Sequence, residues 1–460
     1  MKYPFLFFLV YVFVSVLAMQ PANAQKFKLM RYDEDYTYLK NDTSPGWYNH
    51  IKFIPFTADK KIYASIGGEA RYEMVYTHNA DWNEFGEGDN HYLLQRYDLH
   101  ADVHLGNRVR LFTQLRSALE SGSKDAPRPI DEDKMNIQNL FADVIAWQQG
   151  RQQLTVRLGR QELDYGTGRL ISVREGPNVR QYFTGGKIMY TTPSLAVDGF
   201  VMMDDKVNTG FFDNKPTHQA NLWGVYSHLV IPASGNIDFT YLGIRRDNAV
   251  FEEGEGKEVR HTIAARYWKY GGGFIYNVEG AYQFGSFNKG NINAWTAAID
   301  IGYRFDHVKF TPSVNLRNDY ISGDKRPGDG SLQTFNPLYP KGGYFGFNPR
   351  IGPANLIDLH PYVTAAFTGK LTMQADVVIN WRYSLMDGIY RPSGTFNLAG
   401  EGSDKRYIGT AYLLNASYAF SKYMVFTCGG QFFKTGAFIH DKIQPAVNSS
   451  FVNAQLAFKF

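Results

Sequence analysis

The sequence carries a single cysteine, Cys428, in 460 residues, so no intramolecular disulfide can form. Past residue 19 it holds no apolar run approaching the roughly 18 residues that a spanning helix needs. Net charge is scarce as well. The 48 basic and 44 acidic side chains leave only +4, which excludes the strongly basic footprint of a nucleic-acid binder. Catalytic signatures are missing too: there is no G-x-S-x-G, no H-E-x-x-H and no Cys/His metal spacing. With them go the commonest hydrolase and zinc-site readings. The chain is therefore expected to be no enzyme, with no catalytic residues, no metal and no cofactor.

Aromatic residues, by contrast, are abundant: 34 Phe, 31 Tyr and 7 Trp make 16% of the chain, alongside 44 Gly. Mean hydropathy is nonetheless only −0.34. Such a chain interleaves apolar with polar residues instead of massing them. The exception is the start. Lys2 precedes an almost wholly apolar stretch to residue 19, and Ala22-Asn23-Ala24 supplies a small-x-small cleavage site. Residues 1–24 are expected to be a cleaved signal peptide of an exported Gram-negative protein, with the mature chain starting at Gln25. A transmembrane anchor is the alternative, weakened by a stretch at the short limit for a span.

Beyond it, period-two patterning recurs over ten to sixteen residues at a time. In 273–287, Phe274, Tyr276, Val278, Tyr282 and Phe284 share one face, with Asn277, Glu279 and Gln283 on the other. In 370–384, Leu371, Met373, Ala375, Val377, Ile379 and Trp381 oppose Thr372, Gln374, Asp376, Asn380 and Arg382. Soluble strands average about 5–6 residues, whereas about 9–11 are needed to cross hydrocarbon at a tilt. The segments 62–77, 92–106, 108–121, 137–147, 153–163, 183–192, 194–204, 218–231 and 236–247 form the first half of the pattern. The second half is 259–270, 273–287, 293–305, 308–321, 355–367, 370–384, 405–420, 422–437 and 449–460. That predicts an all-β transmembrane antiparallel barrel of eighteen strands over 62–460, with 25–61 as an N-terminal periplasmic segment. Turns after even-numbered strands are tight, and most loops after odd-numbered ones are long and polar, notably 164–182, 322–354 and 385–404. This is the asymmetry of short periplasmic turns and long outer loops. A sandwich has no reason to sort its loops by parity.

Sixteen to eighteen strands leave an aqueous channel unless loops plug it. With the apolar row outward, Arg71, Arg96, Arg110, Arg116, Arg157, Arg304, Arg317 and Arg382 turn inward, as do acids such as Asp98, Asp102, Asp143 and Asp300. Two readings follow. Opposite charges on adjacent strands form ladders that stiffen the wall, or unpaired arginines at a constriction select anions and fork onto carboxylates. The loop 164–182 sets Arg169, Arg174, Glu175 and Arg180 among turn-forming Gly and Pro. It can fold inward and present cations, or seal the wall through Arg–Glu pairs. A second inward candidate is 335–352, rich in Gly, Pro and aromatic rings. All twelve of these charged residues, Arg71 to Arg382, are candidate pore-lining, substrate-binding positions.

The stretch 151–185, RQQLTVRLGRQELDYGTGRLISVREGPNVRQYFTG, with 92–106, 126–144, 332–346 and 351–361, resembles the alginate-export family of outer-membrane barrels. The resemblance runs from about residue 29 to Phe460. It implies an eighteen-stranded barrel with an electropositive, arginine-lined constriction for an anionic polysaccharide, carried over to the region and to no particular arginine. The expected partners are outer-membrane lipid, the barrel assembly machinery during insertion, and an anionic polysaccharide or small anionic solutes, the barrel acting as a monomer without nucleic acid. A diffusion porin for small anionic or sugar solutes is the alternative function. An adhesin using acidic tips such as 252–257, or an enzyme using Asp98, His100, Asp102 and His104, stands further off.

Overall fold

The computed structural model describes residues 27–43, 46–86, 88–347 and 350–460. The expected signal peptide, 1–24, lies outside the described residues. Eighteen long strands make a closed antiparallel barrel. They are β1 Ile62–His78, β2 Asp89–Leu105, β3 Val109–Ser121, β4 Asp133–Gln149, β5 Gln152–Gln161, β6 Phe183–Thr191, β7 Leu195–Lys206, β8 Lys215–Ile231 and β9 Gly235–Phe251. The remainder are β10 Gly254–Lys269, β11 Phe274–Phe287, β12 Gly290–Arg304, β13 Ser313–Ile321, β14 Leu356–Ala366, β15 Leu371–Arg382, β16 Tyr407–Ala419, β17 Met424–Thr435 and β18 Ser449–Lys459. Each pairs with its sequence neighbours, and β18 closes on β1 in the register Glu69↔Lys459 to His78↔Ser450. No helix among the described residues is long and apolar enough to cross a membrane. The crossing is done by strands.

The polarity of the wall is inverted relative to a soluble protein. Leu111, Leu140, Leu158, Ile188, Val201, Ile299, Val314 and Leu456 are exposed on the outside. Arg96, Arg116, Asp98, Asn139, Gln283 and Asp319 are buried within. Strict alternation does this automatically, because successive side chains point to opposite faces. The hydrophobic core is itself inside the barrel. Leu163, Leu170 and Ile171 from one inward loop pack with Phe335, Leu338, Tyr339, Tyr344 and Phe345 from another, and with wall residues such as Phe183 and Met202.

Two expected segments differ. The predicted strand 308–321 begins only at Ser313. Phe310 and Thr311 adopt positive φ, 70° and 38°, and Phe305 N–H donates to the Pro312 carbonyl. Those apolar residues therefore belong to a periplasmic turn, where an aromatic ring at the interface looks like one more wall position. The loop predicted at 248–258 is mostly wall, since β9 runs to Phe251 and β10 restarts at Gly254. The acidic tip left between them binds backbone. Glu252 accepts the N–H groups of Gly400 and Glu401, and Glu253 that of Gly328.

Leu158 is 63% exposed on β5, beside Ala142 and Gly186 and away from the aromatic rims. An arginine there must enter hydrocarbon. Leu158→Arg is expected to lower stability by about 2–4 kcal/mol, measured by urea unfolding in lipid vesicles.

Candidate functional site

Among the described residues, three segments inserted in the lumen gather most of the predicted site residues, and charged groups on the wall and outer loops help to hold each of them. The first is the loop 162–182 between β5 and β6. Arg71 of β1 donates to the Glu175 and Pro177 carbonyls at 3.1 and 3.3 Å. Arg96 of β2, wholly buried, bridges Glu69 at 2.8 Å and the Glu175 carboxylate at 2.5 Å. Asn178 donates from one amide to the Gln95, Leu119 and Asp131 carbonyls. Arg180 reaches Glu162 at 3.1 Å and Glu175 at 3.3 Å. At the far tip, Arg169 pairs with Asp319 and Glu279 and donates to the Tyr344 hydroxyl. The guanidiniums of Arg96 and Arg180 hold the Glu175 carboxyl at about 2 against its burial.

The second insert is the loop 333–355. It runs alongside the first as a short ladder. Ser172 N–H donates to the Tyr339 carbonyl, Tyr339 N–H to Leu170, and Lys341 N–H to Gly168, at 2.8, 2.9 and 2.9 Å. Phe183 meets Tyr339 edge-on at 4.9 Å. Arg350 at the end of this loop pairs with Asp81 and Glu84 of the first outer loop.

The third insert comes from the N-terminal segment 25–61, for which the sequence leaves two readings open, a cap on the barrel's periplasmic mouth or a partly mobile piece. Residues 29–43 and 46–53 reach the barrel mouth. Arg31 donates to the Gly68 and Phe460 carbonyls at 3.0 and 2.8 Å, so the two ends of the described chain meet. Tyr32 sits edge-on to Phe112 and Phe141, and its hydroxyl donates to the Glu162 carbonyl. Arg180 in turn donates to the Leu29 carbonyl, which joins this segment to the first loop. Helix α1, Trp47–Lys52, brings in Lys52, which is fully buried with its ammonium 4.8 Å from the Tyr36 ring and 5.6 Å from Tyr48. Gly67 makes room for it, because a Cβ there would lie 2.3 Å from Lys52 Nζ. Burial and the nearby Arg31 push the lysine down to about 7. Beside the segment, a periplasmic vestibule of ≈ 740 Å³ opens between Asp33, Lys40, Tyr63, His104, Arg108 and Arg110.

The remaining predicted positions are spoken for. Arg116 forks onto Asp98, Arg157 onto Asp143, and Arg317 binds Asp300 through two nitrogens. Each of these pairs lies directly opposite in register. Arg110 binds Asp102 and the Tyr32 carbonyl. Arg382 lies under the outer loop 385–405 and gathers its carbonyls, from Leu385, Asp387, Gly400, Ser403 and Lys405. Arg304 was expected inside; it stands at the periplasmic turn, half-exposed and paired with Asp306 at 2.5 Å, because β12 ends there. The enzyme-like row is likewise committed: His100 stacks on Phe112 and His104 on Tyr63.

Arg174 and Lys341, where the first two inserts run side by side, have no carboxylate within 4.0 Å among the described residues. Arg174, half-buried, donates to the Pro340 carbonyl at 3.3 Å and lies 5.7 Å from the Tyr339 ring. Lys341 is exposed, with Nζ 5.2 Å from the Tyr344 ring. Surrounding walls, and then the Arg317 and Arg169 guanidiniums, push its ammonium down to about 8. Sequence reading flagged Arg174 and the segment around Lys341, but not the lysine itself. Its isolation depends on how the neighbouring charges pair off.

A family model described as alginate export matches residues 62–453. No curated protein matches the sequence. Among solved structures, OccAB1 of Acinetobacter baumannii superposes with a TM-score of 0.58 at 13% identity, covering 89% of this chain and 99% of that one. OpdO of Pseudomonas aeruginosa gives 0.55 at 10%, over 86% and 97%. OccK2 of Pseudomonas aeruginosa in complex with glucuronate gives 0.55 at 11%, over 89% and 99%. At these identities the likeness is one of fold.

Removing residues 27–53 is expected to raise single-channel conductance several-fold in planar bilayers, and Tyr32→Ala to raise it in part. Unchanged conductance in both variants would place the passage elsewhere. The docked segment also responds to pH. Lys52 titrates near 7 when docked and near its ordinary 10.5 when released, so between those values only the released form holds the proton. Docking strengthens as pH rises across that interval. Opening events should become rarer from pH 7 to 10, and Lys52→Met should remove the trend.

Proposed function

We propose a passage for small carboxylate-bearing sugars, on the premise that this chain belongs to the alginate export family, whose model covers most of its length. The protein is an outer-membrane β-barrel channel. What carries the solute class is Lys341. In a lumen where nearly every guanidinium is answered by an acid, it is an exposed ammonium sharing the Tyr344 ring with Arg169 and Arg317. A mobile anion is the partner such a group lacks. Arg174 along the same ladder adds a second cation. That combination suits a solute bearing a carboxylate, since guanidinium binds carboxylate in a fork and an ammonium adds a point charge. The glucuronate complex of OccK2, a different protein with the same fold, supports a uronate as the class.

Export of an anionic polysaccharide is the second reading, favoured by the family itself. It requires more motion. The described parts of the N-terminal segment close the mouth, and those of loops 162–182 and 333–355 fill the lumen, so a polymer would have to displace at least one of them.

Bilayer recordings under a salt gradient test the proposal. Anion preference is expected below pH 8 and should fall as pH rises past 8, where Lys341 loses its charge. Lys341→Gln should lower the preference at pH 7 and flatten its pH dependence. Glucuronate should interrupt the current more than glucose does. Cation preference in the intact protein at pH 7 would overturn the assignment.

A further inference from the structure

The lipid-facing outer rim carries a cationic corner unrelated to the lumen. Tyr383, just after β15, points outward and meets Trp295 of β12 edge-on at 5.7 Å. The Lys325 ammonium lies 5.1 Å from the Tyr383 ring. Arg406, just before β16, spends Nη1 on the Arg382 and Tyr383 carbonyls, at 2.7 and 2.5 Å. Next to it, Tyr407 packs 6.3 Å from Trp381, and its hydroxyl bonds the Thr410 hydroxyl at 2.7 Å. Thr410 stands directly opposite Lys434 of β17. Lys325, Arg406 and Lys434 are all exposed, and none has a carboxylate within 4.0 Å among the described residues. The nearby Lys405 does have one, Asp404, which shows that the corner is not simply short of acids. Behind it, Arg382 is answered by carbonyl groups and by no ion pair, which adds buried positive charge.

The position determines what can answer these cations. They stand where long loops begin, at the outer end of the strands, immediately above two indoles and two phenols. Aromatic rings of that kind sit at the headgroup level of a membrane. Lys325 and Arg406 share Tyr383, and Lys434 stands opposite Thr410 beside Tyr407, so the three cations border these outward rings at headgroup level. Basic clusters in such places recognise phosphorylated headgroups, and lysine and arginine are the two side chains that bind phosphate best.

We propose that Lys325, Arg406 and Lys434, with Tyr383 and Tyr407, form a binding site for the phosphate of an anionic glycolipid in the outer leaflet. The occupant is a lipid, because the cations surmount an apolar belt that acyl chains must cover in any case. Arg406 has its remaining N–H groups without a protein partner among the described residues and would fork onto the phosphate. The lysines add point charges on either side.

The test is native mass spectrometry of the full chain in detergent, with lipid A bisphosphate as the probe and dephosphorylated lipid A as the comparison. The wild type should retain lipid A bisphosphate over the comparison lipid. Lys325→Gln with Lys434→Gln should weaken retention by about fivefold for each lysine removed, with heat-modified gel mobility unchanged. The pair Lys215→Gln with Lys289→Gln, exposed near outer loops elsewhere on the rim, should leave retention as it was. Arg406→Lys, which keeps the charge, should retain more lipid than Arg406→Gln. Equal retention of the dephosphorylated lipid would overturn the site. So would equal loss in the Lys215/Lys289 pair, undiminished binding in the Lys325/Lys434 pair, or displacement of the lipid by millimolar inorganic phosphate.

Discussion

Everything in this molecule depends on the rule that a backbone N–H in hydrocarbon must be bonded within the protein. A sheet satisfies it only by having no edge. Here the last strand does so by pairing with the first over ten residues, Glu69↔Lys459 through His78↔Ser450. Once the sheet is closed, alternation leaves no choice about polarity. One row must be apolar and face lipid, and the other becomes the only place for charged side chains. The Arg31 contact with the Phe460 carbonyl sits at the same seam, so the docked N-terminal segment also covers the end of the closing strand.

A row of inward charges then creates a second requirement. Buried ions are costly unless paired and hydrogen-bonded, and a barrel interior is only partly wet. Register settles many of them locally. Asp98 faces Arg116, Asp143 faces Arg157, Asp300 faces Arg317 and Asp238 faces Arg266 on adjoining strands. Asp319 meets its arginine only because a loop comes inward, and Arg71 and Arg96 add groups of that loop to their wall acids, Glu73 and Glu69. The inward loops are thus part of the charge accounting of the wall, and the wall is what holds the loops. An arginine in this lumen is more often a fastener than a filter.

This division also explains what could be read in the residues themselves. Period two in stretches such as 273–287 follows from geometry alone, so the strands and their faces were visible. The same habit misplaced 308–312, where Val308 and Phe310 keep the alternating identity after the backbone has turned away. Cross-strand pairs were half-visible, because hairpin register brings Asp143 opposite Arg157 once the turn is known. The contacts that shape the lumen were not. Arg31 and Phe460 are 429 positions apart, and Arg169 and Asp319 are 150 apart. No local pattern links such residues, and the list of inward arginines could not separate those with partners from Arg174, or find Lys341.

Eighteen strands enclose more space than a small solute needs, and the chain spends its own residues filling the excess. Leu163, Ile171, Phe335 and Tyr339 make a hydrophobic core where a simple pore would hold water. Selectivity in such a barrel cannot follow the count of arginines, because paired charges cancel at distances beyond a few ångströms in water. It follows the few charges left over after pairing, at the narrow places the inserts leave open. By that criterion a change of one acid or one loop contact alters the field more than the loss of a paired arginine would. A barrel with the same arginine-rich strands would therefore change its selectivity if its loops left a different cation unanswered.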